Sequence, residues 1–272
     1  MKKIGVVIVT YNPNINELNK FVNNIKDSVF KVIIIDNTEN NDVFFDENPN
    51  VIFRKKNRNV GIALAQNEGV FLAIENRVDY LVMFDQDSWV EKSFFEHMKL
   101  AYESISSNEK VACIGPNIEL ITTDFKYIKK DFLISSGTFY NINIFQEVGL
   151  FNAGWFIDMI DVEWCHRARK YGYNSFIIQD VMMSHNIGEN HYPRILGRDV
   201  RIGSPIRQYY LVRNWIFSLR SDSFNLRYKI KILCFLLIKI PLFSLCSPKV
   251  SRIKFILFGL LHGFKGQVGP YR

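Results

Sequence analysis

The chain has 272 residues, 48% of them hydrophobic and 22% charged, with a formal net charge of +7. This composition excludes a disordered or fibrous protein and is ample for one large domain, or one domain with an appendage, around a sizeable core. Positions 223–272 hold nine Lys and Arg and no acid, leaving 25 basic against 27 acidic residues elsewhere, so a near-neutral body carries a basic tail whose charges alternate with aliphatics and not with the exposed aromatics of nucleic-acid binders.

Ile4–Thr10 is a near-continuous apolar run, the pattern of a strand covered on both faces. It is cut by Asn12, Pro13 and Asn14 too early for a signal peptide, and the expectation is a cytoplasmic protein. Cys113, Cys165, Cys234 and Cys246 form no metal-ligand or C-x-x-C spacing and read as free thiols in a reducing compartment. Asn14 is placed to cap a helix running through Leu18, Phe21, Val22 and Ile25. Lys31–Ile35 predicts a second buried strand ending at Asp36-Asn37, and Val51–Phe53 a short third. A helix over Gly61–Glu75 and a strand over Tyr80–Phe84 follow. Strands alternating with helices imply right-handed crossovers and a mainly parallel sheet.

Polar residues close three of these strands: Thr10-Tyr11-Asn12, Asp36-Asn37 and Asp85-Gln86-Asp87. Open α/β sheets bind ligands at those ends. Asp-x-Asp recurs by chance, but here it ends a buried strand, where unpaired carboxylates are costly and should face a crevice and a cation. Hard oxygen ligands of this type suit Mn²⁺ or Mg²⁺, with substrate phosphates completing the shell. Neither G-x-G-x-x-G nor G-x-x-x-x-G-K-[ST] follows the first strand, which excludes a dinucleotide fold and a P-loop. A nucleotidyltransferase would need a basic, glycine-rich phosphate loop there, and that too is missing.

Further on, a helix is predicted near Ser93–Ser106 and a strand near Val111–Gly115. Phe132–Ser136 leads into a small-residue turn, Gly137-Thr138-Phe139. A helix over Asp161–Tyr171 is entered through acids, which suit its positive end. Asp158, Asp161 and Glu163 are interleaved with Trp155, Phe156, Ile157, Met159, Ile160 and Trp164. That mixture fits a cleft wall, where burial can raise a carboxylate towards a useful base. In the tail, the apolar blocks Ile232–Ile238 and Phe255–Leu261 are too short to span a bilayer. Flanked by Lys231, Lys239 and Lys254, they suit helices lying in an anionic membrane interface. A helical pair covering the core is the alternative. The expected division is 1–222 and 223–272.

Several motifs in order resemble family-2 glycosyltransferases of the GT-A fold, and among them bacterial rhamnosyltransferases. They are VVIVTYNPN at Val6–Asn14, IIIDNT at Ile33–Thr38, NRNVGIALAQNEG at Asn57–Gly69, FDQDSWV at Phe84–Val90 and SSGTF at Ser135–Phe139. GLFNAGWFIDMIDVEWCHRARKYGY at Gly149–Tyr173, SHNIGE at Ser184–Glu189 and RQYYLVRNW at Arg207–Trp215 complete the set. The resemblance implies a metal-dependent, inverting transfer of a sugar to a lipid-linked saccharide at the cytoplasmic face of the membrane. It implies dTDP-L-rhamnose as donor, with a UDP-hexose or a galactofuranose donor as the alternative. Thr10, Tyr11 and Asp36 would line the nucleoside pocket, Asn59, Gly61 and Asn67 the turn and helix face beside it. Asp85 would lie near the ribose, and Asp87 would hold the Mn²⁺ or Mg²⁺. His185 falls where relatives place a further metal or diphosphate contact, or is a histidine satisfied at a strand end. His97, His166, His191 and His262 read as surface or packing residues. Asp161 is the implied base, with Asp158 and Glu163 as competitors. Arg207, Tyr209 and Tyr210 either clamp diphosphate or acceptor, or pack.

Overall fold

Ile4–Thr10 forms β1, and its buried residues face two ways. Val7 joins the apolar cluster on one face of the sheet, with Ile33, Ile35, Leu81 and Met83, while Val6 and Ile8 join the other, with Val32, Ile34, Val82 and Phe84. This alternation on a strand buried on both sides is what an uninterrupted apolar run permits. The computed structural model describes residues 2–39, 48–118, 120–185, 194–195, 198–199 and 202–272, with backbone alone at 184–185, 194–195 and 198–199.

In chain order β1 leads to α1 (Ile15–Ile25), β2 (Lys31–Asp36), β3 (Val51–Lys55), α2 (Ile62–Glu75), β4 (Tyr80–Asp85), β5 (Ser88–Trp89), α3 (Phe94–Ser106) and β6 (Val111–Pro116). There follow β7 (Tyr127–Lys130), β8 (Thr138–Asn141), α4 (Ile144–Glu147), α5 (Ile160–Lys170), β9 (Asn174–Ile178), β10 (Ser184–His185), α6 (Pro205–Arg220), α7 (Leu226–Ser244) and α8 (Lys249–Lys265). The main sheet has the order β3-β2-β1-β4-β8-β6-β9-β7. β1 runs parallel to β2 and β4, and β2 to β3. Asn14 caps α1 as its type requires, its Oδ1 accepting from the amides of Asn16 at 3.1 Å and Glu17 at 3.4 Å.

Thr138 and Phe139, expected in a turn, lie instead in β8, which runs antiparallel to β4 and also to β6. Only Gly137 turns, at φ +77°, and it donates its amide to Met83 O at 2.7 Å. A four-residue segment of ordinary strand propensity becomes a strand because it has partners on both sides, a non-local gain that no local pattern signals. β7 and β9 likewise exist by pairing with each other, and β9 with β6.

The tail is not a separate unit. Ile232, Phe243 and Ile256 lie in the larger core cluster. α8 packs closely on α6: a Cβ on Gly259 would stand 2.7 Å from Tyr209 O, and one on Gly263 2.7 Å from the Cβ of Ile216. After α8, Gly269 donates its amide to Gly154 O at 2.8 Å. The division expected at 222 therefore falls inside one packed helical layer.

Candidate active site

The pairings Thr10 with Asp36 and Val9 with Asp85 bring the carboxyl ends of β2, β1 and β4 side by side. Asp36 is fully buried. Its Oδ1 accepts from Thr10 Oγ1 at 2.8 Å, Thr38 Oγ1 at 2.7 Å and Thr38 N at 3.2 Å. Its Oδ2 is buried with no partner among the described residues, as is Asn37 Oδ1. Buried acceptors are almost always satisfied, so a pair of orphans at strand ends marks where a ligand donor belongs. Tyr11 stands exposed beside them, its amide donating to Gln86 Oε1 at 2.7 Å.

The turn before α2 is built by Asn59 and Gly61. Asn59 Oδ1 accepts from Gly61 N at 3.0 Å, and Asn37 Nδ2 donates to Gly61 O at 3.2 Å. Gly61 has φ +84°, and a Cβ there would come within 2.6 Å of the Phe156 ring. Asn67 is placed differently from its neighbours. Its amide accepts from Phe151 N at 2.9 Å and donates to Phe151 O at 2.8 Å, so both ends of it serve the backbone that leads to the acidic segment.

Asp85 is half-buried and Asp87 exposed. The Asp85 amide donates to Ser136 Oγ at 3.3 Å, and Ser136 and Ser88 share a hydroxyl hydrogen bond of 2.8 Å. Among the described residues no three His, Cys, Asp or Glu side chains group to enclose a metal. Two carboxylates at the end of β4, one half-buried and one exposed, suit an ion that takes its other ligands from water and phosphate, the habit of Mg²⁺ and similar hard cations. The backbone of His185 pairs with Ser88 in a short antiparallel ladder next to this point. Its side chain, the rest of the Ser184–Glu189 motif and His191 lie outside the described residues.

Three acids that the sequence leaves in competition are separated by their partners. Glu163 is buried and held by Arg167, from Nε at 3.0 Å and Nη2 at 3.1 Å, and by Ser223 Oγ at 2.7 Å. Asp158 pairs with Arg207 at 2.5 Å. That carboxylate foremost, with a smaller pull from Asp85, holds the Arg207 guanidinium above its usual range. Asp161 instead accepts from two amides, Val162 N at 2.8 Å and Ser135 N at 3.3 Å. Burial pushes its carboxyl up to about 6, the two amides oppose this, and the nearby charges of Asp158 and Asp85 add to it. A half-buried carboxyl poised near neutrality is suited to taking a proton.

The remaining histidines follow their packing. His166 packs against the stacked pair Phe224 and Tyr228 at centroid distances of 4.8 and 4.3 Å, and burial pushes it down to about 4. His262 Nδ1 meets Tyr209 OH at 2.9 Å, and His97 is exposed. Tyr209 and Tyr210 are buried, Tyr210 stacked on Phe156 at 4.9 Å. The residues that sequence reasoning passed over are Arg213 and Asn214, both fully buried beneath the acidic segment. The available signal was a charged and an amide side chain side by side in the otherwise apolar run Leu211–Phe217.

A family model, glycosyl transferase family 2, matches residues 5–157. A dTDP-rhamnosyl transferase of Shigella flexneri, RfbF, is 33% identical over 99% of this chain and 98% of its own. Among solved structures, residues 1–349 of S. aureus TarS in complex with UDP-GlcNAc superpose with a TM-score of 0.60 at 12% identity, over 98% of this chain and 82% of that one. GalNAc-T7 with UDP, GalNAc and Mn²⁺ gives 0.60 at 14% identity, over 97% of this chain and 56% of that one. At such identities the likeness is one of fold.

Proposed function

Since the chain belongs to glycosyltransferase family 2, has the GT-A fold and is a glycosyltransferase, we propose that it moves L-rhamnose from dTDP-L-rhamnose, with inversion, to a hydroxyl of a lipid-linked saccharide at a membrane surface. The observation that carries the chemistry is Asp161, a carboxyl raised to about 6 by burial and held by amides in place of a cation. The donor reading is supported by the 33% identity to a dTDP-rhamnosyl transferase along nearly the whole chain.

The residues divide the work by position. The free Oδ2 of Asp36 accepts the imide N–H of a pyrimidine, while Thr10 and Thr38 hold that carboxylate still. Tyr11 offers an exposed ring beside the base. Asp87, with Asp85, would hold Mn²⁺ or Mg²⁺; when bound, such an ion offsets negative charge on a diphosphate. Asp161 takes the proton of the acceptor hydroxyl as its oxygen bonds to the anomeric carbon. The bond from that carbon to the diphosphate oxygen breaks on the opposite face, and the nucleoside diphosphate leaves with the electron pair. One displacement inverts the centre and needs no nucleophile on the protein.

Exposed Leu226, Ile230, Leu233 and Leu237 recur at helical spacing along the outer side of α7, as do Val250, Ile253, Leu257 and Leu261 along α8. Apolar side chains facing outwards, with no acid beyond Asp222 and nine basic residues among them, suit an anionic lipid surface. No helix among the described residues is long and apolar enough to cross a membrane.

The test is nucleoside diphosphate release from a panel of nucleotide sugars, with Mn²⁺ or EDTA, for wild type and Asp87→Ala. Turnover is expected to be highest with dTDP-L-rhamnose and lost in EDTA and in the variant. Better turnover with a UDP-hexose would overturn the donor, and full activity in EDTA the metal.

A further inference from the structure

Asp161 follows a segment in an expensive conformation. Phe156, Asp158 and Met159 have φ of +67°, +63° and +64°, and none of them is glycine. Left-handed backbone is strained at each such residue and persists only where the surroundings over-determine it. The surroundings here are two side chains of α6. Asn214 Nδ2 donates to three carbonyls of the segment, Trp155 at 3.1 Å, Ile157 at 2.7 Å and Asp158 at 2.9 Å. Arg213 Nη2 donates to Trp155 O at 2.9 Å, its Nε to Asn214 Oδ1 at 3.2 Å, and its Nη1 to Gly269 O at 2.6 Å. The guanidinium lies 5.3, 5.1 and 5.4 Å from the ring centroids of Tyr209, Tyr210 and Phe217. From the far side, Ile62 at the start of α2 donates its amide to Phe156 O at 2.8 Å.

We propose that Arg213 and Asn214 are positioning residues for sugar transfer: they lock residues 155–158 in the one conformation that presents Asp161 to the acceptor, and through Gly269 they draw the end of the chain into the same clamp. The inference rests on Asp161 being the base. Simple packing does not account for the pair, because an aliphatic residue would fill the space without ordering the carbonyls. Burying a guanidinium and an amide is costly unless every donor finds an acceptor, and here four of the six bonds go to carbonyls of residues 155–158, the others to Gly269 O and Asn214 Oδ1.

A loosened segment would admit more water to the half-buried Asp161 and would disturb the groups that act on it. Those are Asp158, with Arg207 tied to it, and Asp85, while the titratable Cys113, Cys165, Tyr140 and Tyr228 surround it. The experiment measures kcat, donor KM and the pH profile of Asn214→Ala, Arg213→Lys and Arg213→Met, with melting curves to establish folding. Asn214→Ala is expected to lower kcat about 10–100-fold, the size of effect seen when a supporting shell is removed. Donor KM should stay within about threefold, since the nucleoside pocket lies on other strands, and the acidic limb should move below 6. Arg213→Lys, which keeps the charge and a donor, should recover much of what Arg213→Met loses. A folded Asn214→Ala with wild-type kcat and acidic limb overturns the proposal, as does an equal change in kcat and KM. Should Asn214→Ala not fold, the lysine and methionine variants decide on the same criteria. Asp161→Asn run alongside separates the two readings: if it retains activity the base assignment fails, whereas a dead Asp161→Asn beside a normal Asn214→Ala sinks the clamp alone.

Discussion

A buried and a half-buried carboxylate, Asp36 and Asp161, show how the same side chain is set to different tasks. Asp36 is packed among hydroxyls that all address one oxygen, leaving the other as a fixed acceptor. Asp161 is given fewer donors and like charges nearby, and its proton affinity rises to about 6. Transfer should therefore increase with pH through about 6 and level off above, and this acidic limb should disappear in Asp161→Asn along with about 10²–10⁴ of the rate. Stability should move the other way. The folded Asp161 binds its proton more tightly than an unfolded one does, so native protein is relatively favoured at low pH, and that advantage fades between pH 4 and 6. Asn replaces the ion that is costly to bury, so Asp161→Asn should be more stable than wild type at pH 7.5, by on the order of 1–3 kcal/mol, with the difference closing below pH 4. Urea unfolding at the two pH values measures it. A variant that is inactive yet stabilised is the signature of a functional residue; one that is inactive and destabilised would mean Asp161 serves the fold.

Among the elements, α2 carries the clearest constraint. It lies against β1 with Gly69 at the contact, where a Cβ would meet Val7 Cγ1 at 2.4 Å and Cγ2 at 2.7 Å. Helix propensity favours alanine over glycine by about 1 kcal/mol, but Val7 is buried and stiff at its β-branch, so overpacking should win. Gly69→Ala is expected to destabilise by about 1–3 kcal/mol in urea unfolding, and Val7→Ala in the same chain to recover part of it. A stabilised Gly69→Ala would show that α2 can shift on the sheet. The position of this helix matters beyond packing, because its first turn sets Gly61 against Phe156 and its Asn67 ties Phe151. α2 thus braces both ends of the backbone run from Phe151 to Phe156.

For the whole molecule, the decisive feature is that the basic tail is built into the body. Removing it at Asp222 would strip Ile232, Phe243 and Ile256 from the core, so truncation would test folding and not anchoring. Substitution on the outward stripe isolates the surface role. Leu237 and Leu257 are 76% and 59% exposed, and Leu237→Glu with Leu257→Glu should leave the melting temperature within a few degrees. Wild type should sediment with anionic vesicles and be released as salt rises, since screening at physiological ionic strength acts over about 8 Å. The double variant should stay in the supernatant. Equal sedimentation of the two would place any lipid contact elsewhere on the molecule.

Much of the sheet and part of the site were legible in the sequence. Uninterrupted apolar runs at Ile4–Thr10, Lys31–Ile35 and Tyr80–Phe84 can bury two faces only inside a covered parallel sheet, and the polar residues closing each run are aligned by that sheet with no further information. The quoted motifs likewise led to the family that the comparisons give. Tertiary structure decided what depends on partners distant in sequence. Thr138–Asn141 is a strand because β4 and β6 flank it, and the tail is core because α6 accepts its glycines at close range. The three acids of 158–163 are alike in sequence and differ only in what faces them: a guanidinium one helical turn on for Glu163, one from a distant helix for Asp158, and backbone amides for Asp161. Local pattern reports which residues can be buried, whereas proton affinity and backbone strain are set by neighbours that only folding brings into contact.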